Sequence, residues 1–115
     1  MPRDKALSLL SLAAKAGRVK SGEFMTERTV KTHAAVLVIV AGDASDNTKK
    51  QFRDLCRHHR VPMALYSTKE ELGHSIGRGE RASLAVTDPG FAEGLKGLGL
   101  HLEDEGRPYG KKESI

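Results

Sequence analysis

The chain has 115 residues and a mass of 12.5 kDa, the size of one domain, with 38% hydrophobic residues to build a core. Those figures exclude global disorder and a collagen-like chain. Nineteen Lys and Arg against fifteen Asp and Glu leave a net charge of +4. Residues 1–60 carry twelve basic and six acidic side chains, a balance of +6, so a partner that reads charge meets the first half of the chain.

Asp4 is placed to cap a first helix carrying Leu7, Leu10 and Ala14 at helical spacing, and Gly17 to stop it. Val19-Lys20 reads as a short edge strand. Ser21-Gly22 opens a second helix to about His33, with Ser21 as its expected cap. The β-branched run Ala35 to Ala41 reads as a strand buried on both faces. Gly42-Asp43-Ala44-Ser45 turns the chain into a third helix, with Phe52, Leu55 and Cys56 on one face. Val61 to Tyr66 is a second central strand, and Thr68 with Glu71 forms a capping box for a fourth helix ending near Gly77. Ala82 to Thr87 is a third central strand, and Asp88-Pro89 starts a last helix. From residue 103 onward Gly, Pro and charge predominate, and residues 103–115 are expected to be a disordered tail behind a domain at 1–102. The alternation implies an α/β domain with helices on both faces of a small sheet.

A single cysteine, Cys56, precludes an internal disulfide framework and fits a reducing cytoplasm. The longest apolar run, Ala34 to Ala41, is far shorter than the ~20 residues a membrane-spanning helix needs. Enzyme signatures are missing from the sequence. The Gly-rich stretch from Gly73 to Gly79 follows a predicted helix instead of joining a strand to a helix, and it lacks the Gly-Lys-Ser/Thr of a phosphate-cradling loop. Cys56, His58 and His59 diverge around a helix, with no second cysteine pair to complete a metal site. No cofactor, metal or small-molecule substrate is expected.

A basic, glycine-punctuated surface remains. Lys15, Arg18 and Lys20 surround the first loop, and Arg28 and Lys31 share a face of the second helix. Asn47, Thr48, Lys49 and Lys50 open the third helix, while Arg78 and Arg81 flank Gly79. Together they suggest a reader of phosphate backbone, and 4% aromatics argue against a platform that stacks a run of single-stranded bases.

Six segments carry a resemblance: Lys5 to Leu10, Ala14 to Arg18, Ser21-Gly22-Glu23, Asp43 to Lys50, Glu71 to Gly77 and Val86 to Ala92. In order and wording they resemble the bacterial YlxQ-like proteins, a branch of the ribosomal protein superfamily whose archaeal and eukaryotic members bind kink-turn RNA. The likeness covers residues 3–96. It implies a three-layer α/β/α sandwich around a small mixed four-stranded sheet, no cofactor, no catalysis, and structured RNA, ribosomal RNA among the candidates, as the partner. With the basic surface, the expected contact residues are Lys20, Gly22, Glu23, Arg28, Lys31, Asp43, Asn47, Thr48, Lys49, Lys50, Gly77, Arg78 and Arg81. The kink-turn binders have Gly-x-Asn-Glu-x-x-Lys at the loop entering the second helix. Gly22 is kept here and Arg28 stands in the Lys position, but Phe24 and Met25 occupy those of Asn and Glu. An apolar pair does not read guanine edges, so backbone contact is expected without kink-turn base reading. The competing expectation is a protein–protein adaptor using an apolar patch at Phe24 and Met25.

Overall fold

In the computed structural model, which describes residues 4–103, ten elements alternate along the chain. They are α1 (Lys5–Lys15), β1 (Val19–Ser21), α2 (Glu23–Lys31), β2 (Leu37–Val40), α3 (Asp46–His59), β3 (Met63–Leu65), α4 (Lys69–Ser75), β4 (Ser83–Val86), α5 (Pro89–Gly97) and β5 (Leu102–Glu103). Local chemistry sets most helix starts. The Asp4 carboxylate accepts from Leu7 N at 3.0 Å, and Ser45 Oγ accepts from Thr48 N at 3.1 Å. Thr68 Oγ1 accepts from Glu71 N at 3.1 Å, and the Asp88 carboxylate accepts from Gly90 N at 2.6 Å. The Thr68 capping box closes in one direction, because the Glu71 carboxylate accepts from Ser67 Oγ at 2.8 Å.

The second helix corrects the sequence reading. Ser21 belongs to β1, and the N-cap is Gly22 at φ 94°, ψ 160° with no side-chain cap bond. That backbone conformation is open essentially only to glycine, which is why a serine there is displaced into the strand.

The sheet runs β1-β4-β2-β3-β5, with β2 and β3 parallel and every other pair antiparallel. It therefore has five strands where four were expected. The added strand, β5, pairs Leu102 with Ala64 and Glu103 with Met63. Two residues at the head of a Gly- and charge-rich stretch carry no strand pattern, so pairing to β3 is what defines them. Glu103, assigned to the tail, lies in this strand, with its carboxylate 3.1 Å from Arg53 Nε. The rest of the expected tail lies outside the described residues.

The layering is α/β/α. On one face α2 and α3 pack side by side; on the other, α1 lies against α4 and α5. The central strands β2 and β4 are buried at every position; β2 is an unbroken apolar run, and in β4 the one polar residue, Ser83, is buried with its hydroxyl bonded to Thr26. Phe52 and Cys56 of α3 and Leu10 of α1 join the core from opposite faces. Burial pushes the Cys56 thiol up to about 12. Among the described residues no helix is long and apolar enough to cross a membrane.

Candidate nucleic-acid interface

The strand register gathers loops that are far apart in sequence. Ser21 sits opposite Leu84, while Val40 sits opposite both Ser83 and Leu65. The ends of β1, β2 and β3 and the start of β4 therefore share one end of the sheet. Three strand-to-helix junctions meet there, so α2, α3 and α4 all direct their N-termini toward it. In open α/β sheets this is the end where ligands bind, and the helix dipoles make it attractive to anions.

The arrangement is held by specific contacts. Gly22 N donates to Ser83 O at 3.0 Å, and the buried Ser83 and Thr26 hydroxyls lie 3.3 Å apart, pinning the start of α2 to β4. Gln51 Nε2 donates to Glu23 Oε2 at 3.2 Å, and the His33 and His59 rings meet at the far ends of the same helices. Helices α2 and α3 therefore run side by side in the same direction. Asp43 Oδ1 accepts from Lys69 N at 2.8 Å, joining the β2–α3 loop to the start of α4.

The loop from α4 to β4 borders the same end. Gly77, at φ 75°, ends α4 in a Schellman motif: its N–H donates to His74 O at 3.0 Å, and Arg78 N donates to Gly73 O at 2.8 Å. Arg81 N donates to Lys69 O, and its guanidinium Nε donates to Ser21 Oγ at 3.1 Å. A groove of about 350 Å³ lies between this loop and β1–α2, lined by Lys20, Ser21, Met25, Ile76, Arg78 and Arg81, with Ala14 and Val19.

The expected contact residues divide accordingly. Lys20, Arg28, Asn47, Lys49 and Arg78 have no side-chain hydrogen-bond or ion-pair partner among the described residues. Gly22, Gly77 and Arg81 shape or flank the groove and the start of α2. Glu23, Asp43 and Thr48 are engaged in the scaffold, Thr48 through both its N–H and its hydroxyl to Ser45. Lys50 pairs with Asp54 at 2.7 Å. Lys31 lies at the far end of α2, paired with Glu27 at 2.7 Å. The first loop's basic group also splits: Arg18 turns to Asp88 at 3.7 Å, at the opposite end of the sheet from Gly22. Ile76 and Ser21 were missed as groove residues, their sole sequence signal being proximity to Gly77 and Gly22; Met25, singled out in the sequence as an apolar substitution at the Glu position, also lines the groove.

Phe24 and Met25 do not form one apolar patch. Met25 is half-buried in the groove, whereas Phe24 is 69% exposed.

A three-layer domain with a cationic, glycine-bearing strand end has the build of a small ribosomal-type protein. The sequence matches the family described as Ribosomal protein L7Ae/L30e/S12e/Gadd45 over residues 4–96, and the chain belongs to that family. It is 41% identical over 90 residues to an RNA-binding protein YlxQ of Bacillus subtilis (strain 168), covering 78% of this chain and 90% of that one. It is 36% identical over 96 residues to an RNA-binding protein YlxQ of Enterococcus faecium, covering 84% and 92%. Among solved structures, a protein with unknown function from Bacillus halodurans superposes with a TM-score of 0.80 at 36% identity, covering 84% of this chain and 97% of that one. The Giardia lamblia 15.5kD RNA binding protein superposes with a TM-score of 0.70 at 19% identity, covering 85% and 88%, a likeness of fold. The expected YlxQ-like kinship and α/β/α fold hold. Nothing in these likenesses supports the adaptor reading.

Proposed function

We propose that the chain is a non-enzymatic RNA-binding protein that grips the backbone of a structured RNA, with ribosomal RNA a natural candidate, at the strand end where α2, α3 and α4 begin. The carrying observation is the coincidence, at one end, of unpaired cations with a helix start that no side chain caps. Lys20 and Arg78 line the groove beside that start, Arg28 lies about one turn along α2, and Lys49 lies in the first turn of α3, whose Gln51 bonds Glu23. Side chains cap α1, α3, α4 and α5, whereas the first N–H groups of α2 are left to a ligand. No added Cβ atom at Gly22 would meet another group within 4 Å, so a phosphate has room to reach this backbone. The names of the YlxQ relatives support the same partner. Backbone contacts give affinity without sequence choice, and neither Phe24 nor Met25 supplies the polar groups that pair with base edges. The site is accordingly read as one for RNA shape and charge.

Crosslinking the protein to RNA in cells, followed by sequencing and peptide mapping, tests this. Enriched structured RNA, with crosslinks in residues 20–28, 47–50 and 76–81, is the expected result. Recovery at background level would refute it.

A further inference from the structure

Phe24 is the most exposed large apolar side chain among the described residues, at 69%, while Phe52 is buried and Tyr66 and Phe91 are partly buried. Its position on α2 explains why. At about 100° per residue, Phe24 points away from Thr26, Thr29 and Val30, the residues this helix buries. Arg28, four residues on, lies on the same outward face. Glu23, on one side of Phe24, reaches α3 through Gln51; Met25, on the other, lines the groove bordered by Lys20 and Arg78. The ring is thus held out in water at an uncapped helix start, with Arg28 on its own helix face and Lys20 and Arg78 bordering the adjacent groove.

An apolar occupant would find one fully presented ring, with Met25 and Ile76 only half-buried in a groove whose other walls carry Lys20, Arg78 and Arg81. An unpaired nucleobase fits better: its flat face covers the ring while its own phosphates meet the cations. Resting on the RNA reading above, we infer that Phe24 is a base-stacking residue that selects RNA with an unpaired, accessible base beside a helical segment. One ring takes one base, which agrees with the low aromatic content. Stacking tolerates any base identity, so this selectivity is for an unpaired position and not for a sequence.

The test uses the full chain and two RNA hairpins of identical stem, one with a single bulged nucleotide replaced by 2-aminopurine and one without the bulge. Wild type is expected to favour the bulged hairpin and to change its 2-aminopurine fluorescence on binding. Phe24→Ala and Phe24→Leu should each lose about 5- to 150-fold in affinity for the bulged hairpin alone, and Phe24→Trp should restore both affinity and signal. An exposed side chain can be changed without unfolding, and a thermal melt of each variant checks this. Equal wild-type affinity for both hairpins, or equal loss on both in Phe24→Ala, overturns the stacking assignment and leaves backbone binding standing. Binding to neither hairpin by wild type overturns both readings. Unchanged bulge affinity in Phe24→Ala, with loss of self-association, would assign the ring to a protein contact and also overturn the inference.

Discussion

Adding one methyl group at Gly73 is expected to unseat the loop that carries Arg78 and Arg81. Gly73 is buried in α4, and a Cβ atom there would lie 1.8 Å from Gly79 O and 2.6 Å from Gly79 C. Both atoms are backbone, so no side chain can swing aside; residues 78–80 must move. The displacement also stretches the 2.8 Å bond from Arg78 N to Gly73 O that closes α4. Overpacking costs about 1–3 kcal/mol, and a lost buried hydrogen bond adds about 1 kcal/mol. Helix propensity gives back a little less than 1 kcal/mol, so the net loss is about 1–3 kcal/mol. At roughly 4–8 °C per kcal/mol for a domain of this size, Gly73→Ala should lower Tm by about 5–20 °C. Gly79→Ala is the matched control, because a Cβ atom there meets nothing within 4 Å, and its Tm should stay close to wild type. Thermal unfolding followed by circular dichroism measures both variants. A Gly73→Ala Tm within 2 °C of wild type would refute the claim that this glycine exists for backbone contact. RNA titration of the same variant below its Tm adds a second readout, since a displaced Arg78 weakens binding even in folded molecules.

Further outcomes follow from the same geometry. If the unpaired Lys20, Arg28, Lys49 and Arg78 neutralise four phosphates, log K should fall against log salt with a slope of about −3.6, costing about two orders of magnitude between 50 and 200 mM salt; a flat profile contradicts an electrostatic grip. Arg28→Ala should weaken all structured RNAs alike and reduce that slope by about 1, as fluorescence anisotropy would report. Phe24→Asn with Met25→Glu should raise preference for a kink-turn RNA over a hairpin with a simple bulge, whereas tight binding by wild type that prefers the kink-turn to the bulged hairpin would contradict this account of the pair. Cys56 and Tyr66 are both pushed up to about 12, Cys56 by burial and Tyr66 by burial and then by its hydrogen bond to Asp4. The folded state therefore holds these protons more tightly. Their contribution to stability is complete below the unfolded-chain values of 9.0 and 10.0 and is lost as pH rises toward 12, which urea titrations across that range would show.

The legible parts of the fold were those written in consecutive residues. Asp4, Ser45, Thr68 and Asp88 announce their helices because a capping side chain bonds a backbone group two or three residues on. The run at β2 announces burial because both faces are apolar, and Leu84 to Val86 of β4 do the same. Ser21 misled because a serine before a glycine resembles a cap, whereas its hydroxyl serves Arg81, sixty residues away. Gly73 and Gly77 looked alike in sequence; one permits contact between two stretches of backbone and the other a left-handed turn. Of the site, the basic residues were legible one by one. Their separation into free cations and internally engaged ones was legible only for Lys31 and Lys50, whose carboxylates lie four residues away; Arg18 and Arg81 turn to Asp88 and Ser21, residues that only the fold brings near. The groove was hidden for a stronger reason: β1 and β4 are antiparallel partners more than sixty residues apart, and their pairing brings the 76–81 loop to Met25.

The sheet's two borders have a bearing on how the protein behaves when concentrated. The strand richest in β-branched residues, Leu37–Val40, occupies the centre of the five, where both flanks are already taken. Among the described residues the borders are three and two residues long and carry Lys20 and Glu103. Short, charged borders give another chain little to extend, so sheet-to-sheet growth is blocked in the native state. That protection is thinnest beside β5. Fraying of Leu102 and Glu103 would uncover Met63 and Ala64, the next rung, while the rest of the domain stays intact. The Arg53–Glu103 ion pair, with side chains 31% and 19% exposed, ties β5 to α3 and so opposes that fraying.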